Sequence, residues 1–135
     1  IGRGRVLEDV TSRMEQAEIT THHVLHGGVY SRTICIPKGV ALTGVLIDIP
    51  TTVTISGDVD IWLGEDSMRV TGYQVLPARG KRKQAFLAHE DTYLTMAFAT
   101  QAKSIEDAEV EFTHEASLLM SRSPGAKNII NVTGE

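Results

Sequence analysis

Thr51 to Asp66, TTVTISGDVDIWLGED, carries the periodicity on which the fold turns. Val53 and Ile55 alternate with threonines, and Val59, Ile61 and Leu63 alternate with Asp58, Asp60 and Trp62. Successive strand residues point to opposite faces, so period two predicts strands with Val53, Ile55, Val59 and Ile61 turned inward. Ser56-Gly57 and Gly64-Glu65-Asp66 read as the turns that end them.

The same texture extends outward from about Val29 to Thr100. Short apolar runs are punctuated by Pro37-Lys38-Gly39, Gly44, Pro50, Gly72 and the stretch from Pro77 to Gly80. Ala85 and Leu87 continue the alternation and are assigned to the inner face. Many short strands between Gly/Pro turns predict an all-β sandwich or barrel rather than alternating βαβ units.

The flanks read differently. Val6, Val10 and Met14 recur every fourth residue, which predicts a short helix over Val6–Glu18. Beyond Thr100, Ser104 is a candidate N-cap with Asp107 three residues on, and Ile105, Ala108 and Phe112 share one helical face. HEASLLM, 114 to 120, continues or restarts that helix. SRSPGAKNIINVTGE, 121 to 135, holds Pro124-Gly125 and little periodicity, which predicts a loose arm that only a partner orders. The implied organisation is an N-terminal helix and arm over 1–28, a barrel over 29–100, and a C-terminal helix and flexible tail over 101–135.

Composition narrows the function classes. The chain has 135 residues, 41% hydrophobic and 22% charged, in the range of one soluble globular domain. A net charge of −4 argues against binding a nucleic-acid backbone through overall charge. The single cysteine, Cys35, forms no internal disulfide and points to a reducing setting. No apolar run approaches the ~18 residues of a membrane span, and IGRGRVLEDV lacks the apolar core of a secretory signal. Neither a Gly-x-Gly-x-x-Gly turn nor a Walker lysine is present, and no serine sits in a nucleophile elbow.

GVYSRTICIPKGVALTG (28–44), GDVDIWLGE (57–65) and VTGYQVLPARGKRKQAFLAHEDTYLTM (70–96) follow one another in the segment Gly28 to Thr100. Through them the segment resembles the cupin superfamily of small jelly-roll barrels, and within it the single-domain cupin-like proteins encoded by phages and prophages. The resemblance implies a single cupin-like jelly-roll β-barrel with short flanking helices at its N- and C-terminal ends. Enzymatic cupins hold a divalent metal with two histidines and a glutamate of a first motif and one histidine of a second. The corresponding first-motif stretch here is GVLIDIPTT, 44 to 52, which contains no histidine, and Lys83 falls where the second-motif histidine belongs. A lysine must lose a proton before it can ligate a metal, so no catalytic, metal or cofactor residue is assigned from the motifs.

The histidine-rich stretch THHVLHGG, 21 to 28, supplies the alternative. On a strand His22 and His23 face opposite sides, while His22 and His26 share a face about 13 Å apart at ~3.3 Å per residue. The principal reading is structural or surface imidazoles. A divalent-metal or small-molecule site assembled from His23, His26, His89 and Glu90 is the alternative. His89-Glu90-Asp91 reads first as a turn whose Asp91 and Thr92 bond local backbone, and second as an imidazole made basic by two acids. Arg79, Lys81, Arg82 and Lys83 place four cations in five residues, which predicts a solvated turn and a candidate protein-partner surface. Cys35 in RTICIP reads as a buried structural thiol.

Loss of the motif ligands and the resemblance to phage-encoded chains lead to one expected function: a non-enzymatic structural or assembly protein of a phage or prophage virion. Its expected partners are copies of itself and other phage structural proteins, without membrane or nucleic acid, in a virion or the host cytoplasm. A terminal segment crossing to a neighbouring subunit is the expected means of assembly.

Overall fold

A computed structural model describes residues 19–134. The helix expected at Val6–Glu18 lies outside the described residues. Within them run β1 (Thr20–His26), β2 (Val29–Ile36), β3 (Ala41–Thr43), β4 (Thr51–Leu63), β5 (Asp66–Ala78), β6 (Gln84–Ala88) and β7 (Thr92–Ala99). Helix α1 (Ile105–Phe112), two short 3-10 turns at Ala116–Leu118 and Met120–Arg122, and β8 (Lys127–Val132) complete the order.

The strands form one curled sheet in the order β3-β6-β4-β7-β2-β1-β8, with β5 paired to β4. The all-β jelly-roll class expected from the sequence is the fold observed. Neighbouring pairs are antiparallel except β1 with β8, which is parallel.

Strand β4 organises the barrel because three strands share it. It pairs with β5 over its whole length, with β7 from Thr52 to Ser56, and with β6 from Val59 to Leu63. Gly57 marks the changeover and is a residue inside a continuous strand, not the turn read from Ser56-Gly57. Its φ is 149°, and a Cβ there would stand 2.5 Å from Thr92 Oγ1 and 2.8 Å from the Asp91 carbonyl oxygen. Only glycine lets the turn between β6 and β7 lie this close to β4.

Ile55, Val59 and Ile61 are buried and Val53 packs on the same cluster, as the alternation requires. On β6 the assignment is reversed. Ile61 pairs with Phe86 and Val59 with Ala88, and registered partners share a face, so Phe86 and Ala88 are the buried residues. Ala85 and Leu87 lie on the other face beside Trp62 and Asp60.

A second cluster holds Tyr30, Phe98 and Phe112 with Leu25, Met96 and Leu119, closing one end of the sheet under α1. Ser104 caps α1, accepting from the Asp107 backbone N–H at 3.1 Å, and Ile105, Ala108 and Phe112 are buried, all as expected.

The tail is not loose. Residues Lys127 to Val132 form β8 and pair with β1 of the same chain, so the sheet is wider than the segment 29–100, and this arm docks on its own subunit.

Candidate functional site

The curl of the sheet leaves a cavity of about 180 Å³ between its inner face, the loop from Thr43 to Ile47, and the segment after α1. Ile34, Leu42, Val53, Phe86, Leu94, Met96 and Phe112 line it, with Leu118 and Leu119 beside them. The polar contribution comes from Arg32, Arg82, Gln84 and Thr43.

Arg82 is 3% exposed. This overturns its reading as part of a solvated turn; Arg79, Lys81 and Lys83 are exposed. The Arg82 backbone bridges to Ile47, and its guanidinium donates to the Gln84 Oε1, the Ile49 and Arg79 carbonyls and the Thr51 Oγ1. Burial, and then the nearby Arg79 charge, lower its pKa. All four acceptors are neutral, so among the described residues this buried cation has no carboxylate partner.

Arg32 enters the same cavity and belongs to a buried polar network that the sequence reading missed. It donates to Glu109 Oε2 at 2.9 Å and to Ser121 Oγ at 2.8 Å. Glu109, 3% exposed, also accepts from Arg122 Nε at 2.8 Å and from the Ser121 hydroxyl at 3.1 Å. One carboxylate therefore serves two guanidiniums. The signal for Glu109 was its place four residues after Ile105, on the apolar stripe of α1.

His23 terminates this network. Asn128 Nδ2 donates to the Ser121 carbonyl, which leaves its Oδ1 to accept from His23 Nε2–H at 2.6 Å. Nδ1 then accepts from the Tyr30 hydroxyl at 2.7 Å, fixing a neutral imidazole. Burial lowers the His23 pKa, partly opposed by the Asn128 bond and reinforced by the Arg32 charge. Burial likewise raises that of Tyr30.

The other histidines stand apart from it. His22 and His26 are exposed on the opposite face of β1, and His26 Nδ1 lies 2.7 Å from Thr133 Oγ1. His89 meets Asp60 at 2.8 Å, and Glu90 meets Lys38 at 3.5 Å on the surface. Asp91 accepts from the backbone N–H of Lys38, 53 residues distant, so that contact is long-range and not a local turn bond. His23, His26, His89 and Glu90 are thus engaged with separate partners. No three His, Cys, Asp or Glu side chains among the described residues come together to hold a metal.

The cavity is no better suited to the metal that the fold's enzymatic members use. Its lining offers arginines, a glutamine, a threonine and hydrocarbon, and Lys83 is on the surface. Two fixed cations beside an ion site oppose a divalent cation. Cys35 lies half-buried on the outer face beside Tyr93, and burial and then Asp91 raise its pKa, which disfavours the thiolate.

That outer face has an unusual composition. Registered residues run across it in rows: Tyr73–Ser56–Tyr93–Cys35, Val75–Thr54–Thr95–Thr33–His22–Ile129, and Pro77–Thr52–Ala97–Ser31–Val24–Asn131. No Asp, Glu, Lys or Arg occupies these rows. Charge returns beyond them, with Asp58 and Arg69 on β4 and β5 and Lys127 at the β8 corner.

No known family profile matches the sequence, and no curated protein matches it. Solved structures do. A cupin 2 conserved barrel domain protein from Leptotrichia buccalis aligns with a TM-score of 0.53 at 13% identity, covering 60% of this chain and 40% of that one. The fold is a cupin barrel. A Klebsiella pneumoniae protein with a double-stranded β-helix domain gives 0.52 at 13% identity over 64% of this chain and 82% of its own. The cupin domain of a Schizosaccharomyces pombe protein gives 0.50 at 10% identity, covering 64% and 70%. At such identities the likeness is one of fold.

Proposed function

We propose that this chain is a non-enzymatic cupin that acts by protein–protein contact, assembling with a second copy of itself through the outer face of its sheet. The observation that carries the reading is the charge-free field across β5, β4, β7, β2, β1 and β8. Tyr73 (71% exposed), Tyr93 (57%), Ile129 (55%) and Val75 (53%) project from it.

An uncharged surface needs no partner of opposite sign, and a two-fold axis can lay it on itself. Sixteen registered positions, each ~4.8 Å by ~7 Å, give a field of about 540 Å², roughly two thirds of the ~800 Å² per partner of a standard stable interface. Stacking two such faces is ordinary sheet-on-sheet packing. A phage or prophage particle, with other structural proteins of that particle as further partners, is the setting that the sequence resemblance supports.

The experiment is light scattering on the full chain beside Tyr93→Lys and Val75→Lys, with circular dichroism as the check on folding. Both substitutions are at exposed positions and leave the core untouched. The expected result is a dimer or larger ring that either lysine dissociates without loss of strand signal. A monomeric full chain at micromolar concentration, or an oligomer indifferent to both lysines, overturns the proposal.

A further inference from the structure

The cavity poses a question that assembly does not answer. Among the described residues its lining contains two arginines and no Asp, Glu, His or Lys, in a chain whose net charge is −4. Composition alone would favour acids there.

Neither arginine is fully neutralised. Arg82 is 3% exposed, and its hydrogen bonds among the described residues all go to neutral oxygens. Such acceptors satisfy geometry and leave the charge itself uncompensated, which is costly in an apolar surround. Arg32 shares the single carboxylate of Glu109 with Arg122. The polar part of the lining is therefore net positive among the described residues, and beside it Leu42, Val53, Leu94 and Phe86 form a hydrocarbon wall.

We infer that the barrel cavity binds a small monocarboxylate with an apolar body, its carboxylate against Arg82 and Arg32 and its body against the hydrocarbon wall. Size fixes the scale: an apolar cavity of about 150 Å³ holds a benzene molecule, so about 180 Å³ accepts one ring or a chain of about six carbons. Charge fixes the class. Of the five N–H donors of a guanidinium, Arg82 already commits four, which suits a singly charged planar group better than a phosphate that demands many donors. Exposed Thr43 and Leu118 stand where the lining meets solvent and give the ligand its way in. The site is on the face opposite the proposed assembly surface, so either inference can fail alone.

The test is calorimetric titration of the full chain with hexanoate and benzoate beside hexan-1-ol and benzyl alcohol, which match them in shape without the charge. Each acid is expected to bind at least about tenfold more tightly than its alcohol. Val45→Phe, which adds bulk to the lining, is expected to abolish binding of both. Arg82→Met tests the charge directly but also removes the clasp to Ile49 and Thr51. Gln84→Glu is the second variant: it keeps the bond to Arg82 Nε, now 3.2 Å from Gln84 Oε1, and neutralises the cation from within the wall. In that variant the preference for acid over alcohol is expected to vanish. Equal binding of acid and alcohol by the native chain, no acid binding up to about 10 mM, or a Gln84→Glu protein that keeps the preference each overturns the inference.

Discussion

Replacing Glu109 by Gln removes one negative charge and no volume from the network beneath α1. The carboxylate is 3% exposed, and Arg32 beside it has a side chain 13% exposed, so that guanidinium cannot turn to water when its partner goes. Arg122, at 32%, can in part. Breaking a buried ion pair from one side costs about 3–5 kcal/mol, and the glutamine carbonyl still accepts one bond, which places Glu109→Gln near the lower end, at about 3 kcal/mol. With a urea m-value of about 1.5–2 kcal/mol/M for a chain of this size, the midpoint falls by about 1.5–2 M. Unfolding is followed by the fluorescence of Trp62, the single tryptophan.

Arg32→Met completes a cycle. Alone it leaves Glu109 with Arg122 and Ser121, and together with Glu109→Gln it leaves no buried charge on the β2 side. The double variant is therefore expected to be more stable than the sum of the single losses predicts, by about 1–2 kcal/mol. A Glu109→Gln protein within about 0.5 kcal/mol of the native chain, or strictly additive losses, would refute the claim that this carboxylate holds α1 to the sheet.

His23 makes stability fall with acid. Its folded pKa lies below the free value of 6.5, so its share is complete above pH 6.5 and is lost as pH drops from there through the folded pKa. His23→Gln is expected to flatten the urea midpoint between pH 7.5 and pH 5 relative to the native chain, and an identical pH profile in both proteins sinks this reading. Gly57→Ala combines a strained φ with a 2.5 Å approach to Thr92 Oγ1, and is expected to lower stability by about 2–4 kcal/mol in the same assay, whereas Gly64→Ala, where a Cβ meets nothing within 4 Å, costs less. Equal losses at the two glycines would show that steric closeness at the β4 changeover does not decide the outcome.

What the sequence disclosed follows the range of the interactions involved. Alternation along β4 and the Ser104 cap of α1 are local, set by residues within a few positions of each other, and both were legible. The failure on β6 is of another kind. Ala85 and Leu87 were placed inward by continuing an alternation across the turn, but the face of a strand is set by register with its neighbour, and Ile61 opposite Phe86 fixes it one residue out of phase. The buried network is more remote still: Arg32 and Glu109 are 77 residues apart, and His23 and Asn128 are 105 apart.

Each of those polar residues nonetheless left a mark in the pattern. Arg32 alternates with Tyr30 and Ile34 on the inner face of β2, and Glu109 interrupts the stripe of Ile105, Ala108 and Phe112. A charge on an apolar period is either an error of periodicity or a group with a distant partner, and two such intrusions of opposite sign predict each other. The RGKRK run conceals the same lesson. Four cations in five residues read as a surface because charges are usually solvated, yet the bridge between Ile47 and Arg82 turns one of them inward while Arg79, Lys81 and Lys83 stay outside. Arg82 thus carries its charge to the cavity wall by the route that gives β8 its place against β1: a pairing with a segment far along the chain, which composition cannot reveal and a registered backbone can.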